Sequence, residues 1–453
     1  MSRERLNSPS SASDNSPLDL LSATSLVAAS MIGAGVYTTS GFTLADLGSP
    51  GWVVVAWAVG AVIAISGAIC YGALAKELTQ SGGEYLFLSR SLHPIAGLMA
   101  GWVSILAGFT GATAFAATTF ETYLRLETEL SPGLVASAVV VLAAILHTIG
   151  VRPGARIQDA VVILKFSLIA AFVTIAVWSM VNNNAAAVPT TIVPSMTTPS
   201  FDFALKFATA LVWISLSYSG FNAAVYVAGE VRHADRNVPR ALLLGTLLVT
   251  ACYLILNVIF VFGAPVEAVA GQPDVAAKAA RAIGGASFET FVRVVILFGL
   301  FTSVSAFIMS GPRVYAKMAD DGVLPRCFRF SGLGSSGRPP VVAIWAQTVF
   351  AIVVIHLSTL KQLLSYLGFT LSVTAALTVS LLFWARGQAG ERIRGRFYPI
   401  PPIIFVGGTL FTAALSAIDS PGQAVGGLVT IGFGAIAYLL SPPSRRDTCE
   451  TEL

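Results

Sequence analysis

The sequence predicts an all-α membrane protein of twelve transmembrane helices. The first ten are expected to form a five-plus-five inverted repeat with broken first and sixth helices, and two additional helices follow. Composition, the segmentation of hydropathy and the placement of Lys and Arg predict it. Of 453 residues, 55% are apolar and only 11% charged, against about 25% charged in an ordinary soluble domain. So few charges cannot coat several water-soluble domains, and a net charge of +4 is a loop bias rather than a nucleic-acid-binding face. Cys70, Cys252, Cys327 and Cys449 lie far apart with no ligand-spaced pair, which points to neither a disulfide framework nor a zinc site.

Crossing about 30 Å of hydrocarbon at about 1.5 Å per residue takes about 20 mainly apolar residues. Twelve stretches qualify: 20–45, 51–75, 94–120, 130–151, 160–181, 207–229, 241–266, 294–312, 340–360, 362–385, 397–418 and 420–440. Only the fifth carries a charge, Lys165. Residues 1–17 are rich in Ser, Asn and Pro and lack the apolar core of a signal peptide, so a disordered cytoplasmic tail is expected there. Residues 441–453 form the second tail. An even number of spans leaves both termini on one side. Loops on that side hold 20 Lys and Arg and the opposite loops five, so the positive-inside rule places both termini in the cytoplasm. The plasma (inner) membrane is the expected location. The longest exterior segments, 182–202 and 265–290, are too short for separate domains.

The first span, SLVAASMIGAGVYTTSGF, has Gly33 and Gly35 near its midpoint. Each weakens a helix by about 1 kcal/mol relative to Ala, and lipid supplies no water to the freed backbone. A small-residue packing seam is the alternative reading. The sixth span, ALVWISLSYSGFNAAVYVAGE, is interrupted by the polar and glycine run Ser217–Asn222. If the first ten spans form two halves, 18–181 and 203–385, the interruptions occupy equivalent positions, which points to an inverted-repeat transporter. Residues 397–440 then supply the additional helices. The halves share no obvious sequence identity.

Such breaks expose N–H groups where one half-helix begins and carbonyls where another ends. A zwitterion fits both. Its carboxylate would sit on the N–H groups around Gly33 to Gly35, and its ammonium on carbonyls of Met31, Leu216 and Ser219.

Four motifs carry a resemblance: IGAGVY at 32–37, SGGEYLFLSRSLHPIAGLMAGW at 81–102, SGFNAAVYVAGEVRHADRNVPRA at 219–241 and SGPRVYAKMADDGVLP at 310–325. In this order they resemble the amino acid, polyamine and organocation (APC) superfamily of secondary transporters, over nearly the whole chain. The resemblance implies alternating access around a central amino acid site, with no cofactor and no enzymatic activity. The expected partners are the amino acid substrate and the lipid bilayer, with protons as a candidate coupling ion. It further implies that Lys165, in RIQDAVVILKFSL, points at the broken first helix where sodium sits in sodium-coupled relatives. The ammonium would replace that sodium and could also take part in proton coupling; snorkelling to the cytoplasmic surface is the alternative.

Asn222 falls where arginine and polyamine carriers of the superfamily often have an acidic residue. Together with Ala34, Leu216, Phe221 and Phe307, this favours a small or medium neutral amino acid, with a cationic amino acid or polyamine as the alternative. Phe307 matches an aromatic position lining the superfamily's pocket, whereas Leu216 replaces a frequent aromatic gate. The candidate binding set is therefore Met31, Gly33, Ala34, Gly35, Leu216, Ser217, Ser219, Gly220, Phe221, Asn222 and Phe307, with Lys165 for coupling and no metal.

Glu230, Arg232, Asp235, Arg236, Arg240, Arg313, Lys317, Asp320 and Asp321 read either as an inner gate network or as solvated loop ends. The four histidines are scattered and acquire no role. Two competing classes stay open: an intramembrane enzyme, for which no nucleophile with a base, acidic pair or metal cluster recurs, and a non-transporting membrane sensor, for which an appended signalling domain would be expected.

Overall fold

The computed structural model describes residues 18–124, 131–149, 155–182, 200–320, 322–329, 341–384 and 397–440. Both expected tails, Cys449 and Asp321 lie outside them. Among the described residues, ten helices are long and apolar enough to cross a membrane, and two shorter apolar helices stand among them. Their outward faces carry large apolar side chains such as Trp178 and Phe411, a surface suited to hydrocarbon rather than water.

The first span is two helices. Asp19 caps α1 (Leu20–Met31) by accepting the Ser22 N–H at 2.8 Å, and α2 (Ala34–Leu47) ends at Gly48, which takes the left-handed conformation of a helix terminator. Pro opens α3 (Pro50–Ala75), where its missing N–H costs nothing. A short connecting helix, α4 (Gly83–Ser91), leads into the third span, composed of α5 (Pro94–Val103), a π-helical turn at Ser104–Gly111, and α6 (Ala112–Leu124). Then come α7 (Leu134–Ile149) and α8 (Ala155–Asn182). The sixth span is α9 (Phe201–Tyr218) followed, after four residues, by a 3-10 helix at Ala223–Glu230. The rest comprises α10 (Ala234–Phe262), α11 (Val266–Val269), α12 (Val275–Asp320), α13 (Val341–Leu357), α14 (Leu360–Trp384), α15 (Ile400–Asp419) and α16 (Pro421–Leu440).

Two expectations shift. Helix α10 begins at Ala234 rather than at 241, because hydropathy marks only the apolar part while Asp235, Arg236 and Arg240 extend the same helix beyond it. The exterior segment 265–290 is not a plain loop: α11 and the start of α12, which is kinked at Gly285, tuck into the bundle. Val275, Ala276, Ala277, Ala279 and Ala280 are fully buried there, and the Gly271 N–H donates to the Gly41 carbonyl at 2.7 Å. This segment closes the end of the bundle away from Leu18 and Val231.

Helix α1 packs on α8 and α10, α2 on α9, and α6 on α12. Helix α15 rests on α3, α9 and α14, and α16 on α5 and α14, so the last two helices support the bundle from outside its centre. Among the described residues the one β contact is a bridge between Leu18 and Val231. The Leu18 N–H donates to the Glu230 carbonyl at 3.1 Å, and the Arg232 N–H to the Leu18 carbonyl at 2.8 Å.

A charged cluster fastens this closed end. The Arg293 guanidinium meets Asp274 at 2.6 Å and Glu289 at 2.9 Å, all three nearly buried, and donates to the Tyr123 carbonyl at 3.0 Å. Removing one member of a buried charged group leaves the charge of the others under-compensated, at a cost of up to about 3–5 kcal/mol, although Glu289 keeps Arg281 at 3.0 Å. Arg293→Met is therefore expected to lower the thermal unfolding midpoint of the detergent-solubilised protein markedly, and a midpoint equal to wild type would contradict this role.

Candidate functional site

Both interruptions lie at the middle of the bundle and face each other. In the first, Ile32 leaves the helical conformation and Gly33 takes the N-cap position of α2 without a side-chain cap. In the second, the chain departs at Ser219 and resumes at Ala223. Ser217 belongs to the helix rather than to the break. Its hydroxyl donates to the Trp213 carbonyl at 3.1 Å and pairs with Thr39 at 2.9 Å.

The two segments interlock through missing side chains. A Cβ on Gly35 would lie 2.7 Å from the Ser217 Cα, and one on Gly220 would lie 2.7 Å from the Ser30 carbonyl oxygen. Gly220 also has φ +98°, a region that favours glycine. Each broken helix thus supplies the glycine against which the other's backbone rests.

Beneath the breaks opens a cavity of about 1240 Å³. All eleven residues of the expected binding set line it, from Met31, Gly33, Ala34 and Gly35 through Leu216, Ser217, Ser219, Gly220, Phe221 and Asn222 to Phe307, and so does Lys165. It continues down to the exposed residues Ser81, Glu230 and Arg313. On the opposite side of the breaks, Thr38, Thr39, Ser40, Trp57, Trp213 and Tyr253 are fully buried. The cavity therefore opens toward the end that holds Leu18 and Val231.

The backbone carbonyls near the breaks have partners of their own. Tyr253 from α10 donates to the Met31 carbonyl and reaches the Ser217 carbonyl at 3.2 Å, and the Ser219 N–H donates to the Leu216 carbonyl at 3.0 Å. An ammonium at Met31 or Leu216 would share an oxygen already engaged. Lys165 does not snorkel outward: it is nearly buried, and its Nζ donates to the Ile32 carbonyl at 3.2 Å and to Ser303 Oγ at 3.4 Å. That contact joins the first break to α12.

Four features were not anticipated from the residues alone. The π-helical turn places Ser104, Gly108 and Phe109 on the cavity, and such turns gather at functional sites. Tyr253 ties both breaks to α10. His147 lines the cavity and pairs through Nε2 with Ser305 at 2.8 Å. Glu84, quoted in a motif but given no role, also lines the cavity. Its carboxylate accepts the Tyr71 phenol and, at 3.1 Å, the Asn222 amide. Of the charged loop residues, Glu230 and Arg313 reach the cavity mouth, whereas Asp235 and Arg236 pair with each other in the open at 3.7 Å. The side chains of Lys317 and Asp320 lie outside those described.

A model of the amino acid permease family matches residues 18–439. The chain is 24% identical over 409 residues to the serine/threonine exchanger SteT of Bacillus subtilis, covering 88% of this chain and 91% of the relative. It is 26% identical over 428 residues to the b(0,+)-type amino acid transporter 1 of Rattus norvegicus, covering 91% and 85%. With the human cystine/glutamate transporter it shares 23% identity over 438 residues, covering 93% and 84%. With its multiple apolar spans and its match across nearly its full length, the chain belongs to the amino acid permease family of the APC superfamily, as a multi-pass integral membrane protein.

Proposed function

We propose that this permease is a secondary active transporter of small or medium neutral amino acids that works by alternating access, without sodium, through proton coupling or exchange. The observation carrying the proposal is the pair of facing helix breaks above a cavity open at one end and closed at the other. The substrate carboxylate binds the N–H groups that open α2, and the ammonium binds the carbonyls of the two breaks. Met31, Gly33, Ala34, Gly35, Leu216, Ser217, Ser219, Gly220, Phe221, Asn222 and Phe307 form the site, and the Lys165 ammonium stands in for sodium.

The architecture proposed for this cycle is twelve spans, α7 and α13 counting as the fourth and ninth. Residues 18–181 and 203–385 are the two repeats, 397–440 the additional helices, and 1–17 and 441–453 cytoplasmic tails. The reciprocal seating of Gly35 on Ser217 and Gly220 on Ser30 supports the repeat. The Lys and Arg bias of the loops supports cytoplasmic termini in the plasma (inner) membrane, which makes the described arrangement inward-open. Exchange has the support of a relative named an exchanger.

Neutral specificity follows from Asn222, a neutral group at the break, amid Ala34, Leu216 and Phe307. A cationic substrate is the second reading, and Glu84 against Asn222 is the observation for it. Uptake into proteoliposomes, with a labelled neutral amino acid competed by an unlabelled panel, separates the two. Leucine, alanine or a similar neutral amino acid is expected to compete at least about tenfold better than arginine, a difference of about 1.4 kcal/mol. Arginine, lysine or a polyamine as the tightest competitor would reverse the assignment, and no uptake of any amino acid would overturn the transporter itself.

A further inference from the structure

Glu84 has no task in the neutral-substrate reading, yet it occupies a distinctive place. It sits on the connecting helix α4, between the second and third spans, and is only 6% exposed. The two groups donating to its Oε1 are neutral: the Tyr71 phenol from α3 and the Asn222 amide at the end of the sixth-helix break. The Tyr226 ring from the 3-10 helix lies against Gly83, and its hydroxyl faces the Glu84 backbone. From α14 comes Thr378, bonded to Tyr71, and α5 has no ionisable side chain. Burial and these two neutral donors are what act on its proton affinity.

A carboxylate so enclosed is costly as an anion. Burial raises its pKa to about 7, against the smaller lowering by the Tyr71 and Asn222 hydrogen bonds.

We propose that Glu84 is a proton-binding site of the transport cycle, taking one proton from cavity water onto its carboxylate and returning it to water when the connecting helix and the sixth-helix break separate. The proposal rests on the permease reading. Asn222 transmits the event, because a charged acceptor holds an amide N–H more tightly than a neutral acid does, and Asn222 lines the substrate cavity.

The sign follows from the raised value. Relative to any arrangement in which Glu84 meets bulk water, the described one favours the protonated form. Acid therefore stabilises it, and that stabilisation is lost as pH rises through about 7.

The test is amino acid exchange in proteoliposomes at equal pH on both sides, from about 5.5 to 8.5, a range bracketing the Glu84 value and excluding ordinary carboxylates. Wild type is expected to follow a one-proton titration centred near pH 7. Glu84→Gln accepts the same two hydrogen bonds but binds no proton, so its rate should stay flat. Glu84→Asp should restore a pH dependence. Infrared difference spectra of wild type supply a readout that needs no active variant: a protonated-carboxyl band should rise as pH falls through 7 and be missing from Glu84→Gln. A flat wild-type profile, a Glu84→Gln profile like wild type, or no titrating band would each overturn the proposal. If wild type exchanges amino acids while Glu84→Gln keeps its profile, only the Glu84 site falls. If wild type exchanges no amino acid at any pH, the permease reading falls and the site with it.

Discussion

Gly33→Leu is expected to abolish amino acid binding and leave the protein folded. Gly33 has φ −135°, an extended backbone open to any residue, and a Cβ built there meets nothing nearer than the Met31 carbonyl at 3.9 Å. A leucine therefore fits the fold but stands in the cavity, over the N–H groups where a substrate carboxylate would bind. Two charge-assisted hydrogen bonds at about 1.5–3 kcal/mol each correspond to roughly 10²–10⁴-fold in affinity. Gly35 cannot serve this purpose, since a side chain there would run into the Ser217 backbone and disturb packing as well as binding. Equilibrium binding of the labelled substrate, beside gel filtration and the thermal midpoint, decides the matter. Wild-type affinity in a folded Gly33→Leu protein would refute the carboxylate assignment.

Lys165→Ala should reduce transport by roughly 10- to 100-fold, the equivalent of one charge-assisted hydrogen bond, while shifting the thermal midpoint far less. The ammonium bridges the Ile32 carbonyl and Ser303 Oγ, so its loss removes both the positive charge at the first break and the link from that break to α12. Wild-type uptake should persist when potassium or choline replaces sodium. Uptake that vanishes without sodium would remove the stand-in role, and undiminished transport in Lys165→Ala would remove any role in coupling.

The sequence made the breaks legible because glycines and serines in the middle of an apolar helix have no local reason to be there. Gly33 and Gly220 could thus be located without coordinates. Helix ends were less legible: hydropathy follows apolar residues, whereas α10 continues through Asp235 and Arg240. The cover formed by α11 and the start of α12 escaped notice because its alanines are too mild to signal burial, which packing alone decides. Glu84 shows the deeper limit. Its motif stood out, but its meaning depends on Asn222, 138 positions away along the chain, and a single sequence does not reveal that pairing. Tyr253 is similar: its value lies in the two carbonyls it reaches, one from each broken helix.

The Leu18–Val231 bridge constrains how this machine can run. It stitches the start of α1 to the residue after the 3-10 helix by two backbone hydrogen bonds, which side-chain substitution leaves largely intact. The two half-helices on that side of the breaks, Leu20–Met31 and Ala223–Glu230, are thereby tied to each other at their far ends. In the cycle proposed above, an arrangement with one half-helix displaced and the other not would break these two hydrogen bonds, so the two are expected to move together.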